Sequence, residues 1–328
     1  MANKYLAFLA IITGFIVIHF LKPVLLPLVI SLFLVAIILP VYNFLNKKLS
    51  IGVSLVLAYA TLIFIVGGFI TLAYLSVAEL VYELPKYEKQ FYNMLDNITK
   101  WLKENGLPAP KTISAQQLQK IITPIATGFY TAAGNMVLII AFVVLMLPEA
   151  TNWRAKLKQC FGKTAGKQWQ DSASSAVQSF RKFLTISSIL GLVNGLLTFI
   201  LTKSLGLDFA MLWGLLAFIL NYIPVIGAAL LLIPVTLTAI MQFNDTTMIT
   251  ATFTGMAFIQ FVMGNIIEPK YQGKYLTMSP VVLLFSVAFW GFLWGAAGAF
   301  LAVPLSHIIM VVCMRFNKTK PFACMLKQ

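Results

Sequence analysis

LNYIPVIG, Leu220 to Gly227, sits in the middle of an apolar run from Phe209 to Gln242 that holds no charged residue. A single helix over that run would be about 50 Å long, too long for a hydrocarbon core of roughly 30 Å without extreme tilt. Divided at Asn221 to Gly227, it gives two arms of about 12 to 15 residues, roughly 18 to 23 Å each, and each arm is too short to cross. The run therefore reads as a hairpin that enters and leaves the membrane on one side, with two short tilted spans as the other solution. Turn chemistry agrees with a break here. Pro224 lacks an amide proton and pushes Ile223 away from helical angles, Gly227 permits positive φ, and Asn221 can satisfy freed backbone groups.

The surrounding sequence is that of a polytopic membrane protein. Of 328 residues, 60% are hydrophobic and only 10% charged, against roughly 25% charged in soluble domains. Charge-free runs of spanning length occur at Tyr5 to Leu21, Pro23 to Asn46, Leu49 to Ala78, Ile121 to Pro148, Phe183 to Thr202 and Thr246 to Ile267. The first resembles a signal peptide but leads straight into a second run without a small-residue cleavage site, so it is read as a retained helix. The formal net charge of +14 does not indicate nucleic-acid binding, because most of the basic excess flanks spans, where it sets orientation. Lys47, Lys48, the basic stretch from Arg154 to Lys182 and the tail after Arg315 then face the cytoplasm, as do both termini.

The expected fold is all-α, with about eight membrane segments. Helices over 1–82 lead to an extracytoplasmic amphipathic segment at 83–120, in which Pro85 opens a helix and Asn105-Gly106 caps it. A span at 121–148 and a basic cytoplasmic connector at 149–182 follow. A core at 183–315 holds two interrupted or re-entrant hairpins, 209–242 and 275–314, and 316–328 form a tail. The second hairpin is suggested by Ser279-Pro280, glycines at 291, 295 and 298, and Pro304. Gly227-Ala228-Ala229 before Pro234 is loosely repeated by Gly295-Ala296-Ala297 before Pro304, with spacings that differ by two residues.

Broken helices near the midplane build solute sites in secondary transporters, which makes Asn221, Tyr222, Pro224, Gly227, Gln260, Asn265 and Pro304 the candidate path. Glu268 reads as a solvated helix end, a partner of Lys270 or Lys274, or a gating and ion-coupling group. Asp208 reads as an N-cap for the following arm, with gating as its functional alternative. Pro269, Pro280, Gly295 and Gly298 are candidate hinges, and Pro269 is expected to end its helix. Asn194 between Gly191 and Gly195 reads as interhelical glue. No catalytic residue, metal set or cofactor motif is assigned: His307 follows Ser306 without a nucleophile-elbow setting, the three cysteines lack metal spacing, and no phosphate-binding loop is present.

The ordered series Gly206-Leu207-Asp208, Asn221 to Gly227, Asn265-Ile266-Ile267-Glu268-Pro269-Lys270, Ser279-Pro280 and Gly295 to Leu305 resembles the autoinducer-2 exporter family of permeases. That resemblance implies a bacterial inner-membrane exporter of a small polar solute, by alternating access, with autoinducer-2 as the namesake substrate. It also implies a homo-oligomer, and some relatives are associated with sodium–proton antiport. The charge-free runs contain no carboxylate, which weighs against antiport here. A passive channel or a non-transporting assembly factor is the third reading, and membrane lipid is the one certain partner.

Overall fold

In the computed structural model the described residues are 2–106, 135–150, 163–223, 226–243, 245–272, 278–314 and 321. They are helical with short turns and contain no strand. Helix α1 is Ala2–Phe20, α2 Lys22–Leu45 and α3 Ile51–Glu104. Helix α4 is Asn135–Ala150 and α5 Lys163–Ser204. The first hairpin consists of α6 (Ala210–Leu220) and α7 (Ile226–Gln242). After it come α8 (Thr246–Val262), a π-turn (Met263–Ile267) and α9 (Glu268–Gln272), and the second hairpin is α10 (Pro280–Trp294) with α11 (Ala296–Cys313). Four stretches are long and apolar enough to span: Lys22–Leu45, Ile51–Glu83, Arg181–Ser204 and Thr246–Tyr271.

Three boundaries differ from expectation. No new helix begins at Pro85, because α3 runs unbroken from Ile51 to Glu104; at 1.5 Å per residue it is about 80 Å long, so its last third projects beyond the bilayer. The apolar spacing read as a separate element is the exposed end of a spanning helix, closed as expected at Gly106 with φ +70°. The basic connector is helical from Lys163 and continuous with the span that follows. Pro269 does not stop its helix. The chain stays helical through a π-turn into α9, and Pro269 follows that turn directly, so the shift in hydrogen-bond register falls beside the missing amide proton. Residues 121–134 of the fourth span lie outside the described residues.

Packing inside the membrane relies on small residues where helices cross. A Cβ on Gly195 would come within 2.7 Å of the Gly214 carbonyl oxygen, and one on Gly214 within 2.9 Å of the Gly195 oxygen. Helices α5 and α6 therefore approach backbone to backbone, as small-residue interfaces in lipid allow. A central cluster of Leu26, Phe33, Leu184, Tyr222, Trp290, Trp294 and Leu301 ties α2, α5 and both hairpins together. A second cluster of Tyr87, Phe209, Trp213, Leu231, Val235 and Met256 joins α3, the first hairpin and α8.

The two hairpins insert from opposite sides. Helices α2 and α3 are antiparallel spans joined by a short elbow at 46–50. The α1–α2 elbow at Leu21 therefore shares a membrane side with the projecting end of α3. Lys86 and Tyr87 of that end contact Asp208 at the base of the first hairpin. The tip of the second hairpin instead touches the α1–α2 elbow: His19 Nδ1 lies 3.0 Å from Leu293 O, and Trp294 Nε1 donates to Ile18 O at 3.3 Å. The first hairpin thus opens toward the side at which the second one ends. Its two ends meet, since Gln242 Oε1 accepts from the Asp208 amide at 2.8 Å and Gln242 Nε2 donates to Gly206 O at 2.8 Å. Joined ends, arms of 11 and 17 residues and a tip lodged against α5 make the run a hairpin of two short arms.

Candidate functional site

The tip of the first hairpin is where polar groups converge at membrane depth. Helix α6 ends at Leu220, and Asn221, Tyr222 and Ile223 form the turn before α7. Pro224 lies outside the described residues. The turn is tight because Gly227 packs against Leu220, where a Cβ would intrude on the Leu220 carbonyl. Any side chain here would force the arms apart.

Asn221 is 9% exposed and Asn194, on α5, 3%. The Asn221 amide satisfies both its atoms when its nitrogen donates to Glu268 Oε1 at 2.9 Å and its oxygen accepts from the Gly191 amide at 3.3 Å. Asn194 Oδ1 accepts from Gln260 Nε2 at 3.1 Å. The buried tip amide is thus tied to one carboxylate on α9 and to the backbone of α5. Next to it the Tyr222 and Ser188 hydroxyls are 2.6 Å apart, and the Tyr222 ring packs on Phe300 of the second hairpin with centroids 4.5 Å apart.

Glu268 is half-buried, and among the described residues it has no ion pair, so it is neither a solvated helix end nor a partner of Lys270. Lys274 lies outside the described residues. The π-turn before α9 shifts the helical register by one residue, and such turns occur often at functional sites. Asn265 is exposed and bonds only its own helix, to Phe261 O at 3.1 Å, so the cluster does not include it. Pro304 is buried in α11. Pro280 starts α10 after the Ser279 cap. Gly295 turns the second hairpin with φ +72°, and Gly298 lies against the Trp290 carbonyl, where a Cβ would not fit.

Asp208 is not the N-cap of α6. That position is Phe209, held at φ 61° without a side-chain cap. Asp208 is drawn instead to the projecting end of α3, where its Oδ2 accepts from Tyr87 OH at 2.5 Å and pairs with Lys86 Nζ at 3.3 Å. Its backbone oxygen accepts from Trp213 Nε1 at 3.1 Å. Burial, and then the bond to Asp208, hold the Tyr87 hydroxyl well above the usual tyrosine range. Ser187, Ser188, Lys86, Tyr87 and Gln242 carry no functional reading from the sequence, and Gly191 enters it only as a small residue beside Asn194; nothing in their local pattern marks them for the site. Ser306 accepts from Trp290 Nε1 at 3.0 Å and is engaged in packing. Among the described residues no three metal-ligating side chains come together.

Opposed broken hairpins around a buried amide, hydroxyl and carboxylate cluster define a multi-pass helical membrane protein with a polar site among interrupted helices. Comparison with known proteins is specific. The sequence model of AI-2E family transporters matches residues 6–318. The AI-2 transport protein TqsA of Escherichia coli (strain K12) is 30% identical over 307 residues, covering 90% of this chain and 86% of TqsA. A Haemophilus influenzae relative is 28% identical over 316 residues, covering 92% of this chain and 89% of its own. YrrI of Bacillus subtilis is 24% identical over 318 residues, covering 91% and 88%. The chain belongs to the AI-2E transporter family and is a multi-pass protein of the bacterial inner membrane.

Proposed function

We propose that this chain moves a small polar solute by alternating access, with the tip of the first hairpin facing the solute. The observation that carries this reading is the buried Asn221 amide at the hairpin tip, bonded to the Glu268 carboxylate. A cavity for a polar solute needs hydrogen-bonding groups and few fixed charges, and Asn221, Tyr222, Ser188, Asn194 and Gln260 supply them. Irregular backbone at this depth is tolerated where it lines such a path. Autoinducer-2 is the first solute to test, because TqsA is named an AI-2 transport protein.

Glu268 is the coupling group in this reading. Its carboxylate faces the tip amide, so gaining a proton or sodium ion would weaken its hold on Asn221 and release the tip. The observation also supports sodium–proton exchange as a second reading, since a carboxylate at this depth is a natural ion carrier. Both termini are assigned to the cytoplasm on the placement of basic residues, and homo-oligomeric assembly is an expectation from the resemblance.

Efflux from proteoliposomes under defined proton, sodium and autoinducer-2 gradients tests this. Autoinducer-2 movement that follows one ion gradient supports the first reading, and ion exchange without solute movement supports the second. Flux indifferent to all three gradients would sink both. Glu268→Gln keeps an oxygen for Asn221 but removes the titratable charge, so it should abolish the pH dependence of transport. A variant with an unchanged pH profile would remove Glu268 from the mechanism.

A further inference from the structure

Beside the polar cluster, on the other face of Tyr222, lies a cavity of about 190 Å³ lined by Ile30, Phe33, Leu34 and Ile37 of α2, Leu184 of α5, and Ala297, Phe300 and Leu301 of α11. The Tyr222 hydroxyl turns away from it to Ser188, so the side chains on the wall present aromatic and aliphatic carbon. An apolar cavity of about 150 Å³ with similar walls stays dry and takes up a benzene-sized guest. Water is therefore a poor occupant, and so is a polar solute.

Its position supplies the occupant. Ile30 and Ile37 lie 8 and 15 residues into α2, about 12 and 22 Å along a helix of about 36 Å. Both are at hydrocarbon depth in a helix that spans. Ile37, at the mouth, is 40% exposed, while Phe33, Leu184 and Leu301 at the back are buried. We infer that the cavity is a lateral site for one acyl chain of a membrane lipid, which enters between α2 and α11 and rests against the Tyr222–Phe300 contact. Both hairpins touch the chain there, so its presence fills the space into which Tyr222 would otherwise move. The inference stands on cavity chemistry and depth, independently of which solute is carried.

The test uses the full-length protein in phosphatidylethanolamine–phosphatidylglycerol vesicles doped with a phosphatidylcholine whose acyl chain carries a mid-chain diazirine. After photolysis, adducts are mapped by mass spectrometry. Adducts are expected at the buried Leu184 and Leu301 as well as at the freely lipid-facing Phe64 and Phe292. Ala297→Phe fills the cavity from α11 and Ile37→Trp narrows its mouth from α2. Each occupies space the acyl chain would fill and should lower the inward adducts severalfold, with those at Phe64 and Phe292 unchanged. Adducts confined to Phe64 and Phe292 would overturn the inference. So would inward adducts insensitive to both variants, labelling by a water-soluble diazirine, or cross-linking of these residues to a second copy of the chain.

Discussion

The two hairpins share a construction and differ in where they are held. In each, a glycine near the start of the second arm presses on the carbonyl of a residue near the end of the first: Gly227 on Leu220 and Gly298 on Trp290. The first hairpin is pinned at its base, through Asp208, Gln242 and Tyr87, and its tip carries Asn221 among polar partners. The second is pinned at its tip, through His19 and Trp294 on the α1–α2 elbow, and its base is an apolar contact of Met278 and Met310. A hairpin anchored at its base leaves its tip the freer end to move. One anchored at its tip is better suited as a wall. The shared construction is packing, and only the first hairpin has the groups for solute chemistry.

The sharpest way to break this comparison is to remove what the hairpins share. Gly227→Ala and Gly298→Ala each place a methyl inside a backbone carbonyl that a side-chain rotation does not relieve, and overpacking of this kind costs about 1–3 kcal/mol. Both should lower the unfolding midpoint of the purified protein by similar amounts. Gly264→Ala, with open space around it, should leave stability unchanged. Equal tolerance of all three would show that the hairpin arms are not in close contact.

Next in size are the tips, where the outcomes should diverge. Asn221→Ala removes a hydrogen bond to a carboxylate, which is worth about 1.5–3 kcal/mol, so transport should fall roughly ten- to a hundredfold. Folded yield should change little, since hydrogen bonds in membrane interiors average about 0.6 kcal/mol of stability. Gly295→Ala places a side chain at φ 72°, ψ −151°, a region essentially reserved for glycine, at a cost of about 1–3 kcal/mol. It should lower stability, with transport per folded molecule preserved. The reverse pattern would transfer the solute-facing role to the second hairpin.

How much of this was legible in the sequence follows from the range of the forces involved. The break at Asn221 to Gly227 was readable because helix rise and bilayer thickness are local arithmetic, and the glycines and Ser279-Pro280 marked the second hairpin for the same reason. The internal repeat was seen but offset. Its structural counterpart to Gly227 is Gly298 rather than Gly295, which shrinks the mismatch in spacing to the following proline from two residues to one. Only the carbonyl each glycine meets reveals this. Pro269 misled because proline's effect depends on the hydrogen-bond register before it, and a π-turn changes that register without a sequence signature. Glu268 facing Asn221, Gln260 facing Asn194 and Tyr87 facing Asp208 are separated by 47, 66 and 121 residues. Such pairings are set by how the helices assemble, which periodicity does not encode.

The smallest expected effect lies at the base of the first hairpin, and there pH supplies a signed test. Tyr87 is held neutral by burial and by its bond to Asp208. Its titration in the folded protein therefore sits above the value of about 10 found in an unfolded chain. A group raised in this way contributes stability that is fully present below about pH 10 and is lost as pH rises toward its folded value. Wild-type protein should accordingly lose stability above pH 10 more steeply than Tyr87→Phe, in which the titrating group is gone. At neutral pH Tyr87→Phe should cost about 1 kcal/mol, the net worth of one partly exposed hydrogen bond. Asp208→Asn keeps an acceptor for Tyr87 but gives up the charge that pairs with Lys86, an exposed pair worth at most about 1 kcal/mol. If the base clamp governs where the tip rests, both variants should also loosen transport coupling, seen as increased flux in the absence of a gradient. Unchanged coupling would mean that the hairpin is held by the apolar contacts of its own Phe209 and Trp213 with their neighbours, and that the polar clamp only trims the outer end of α3.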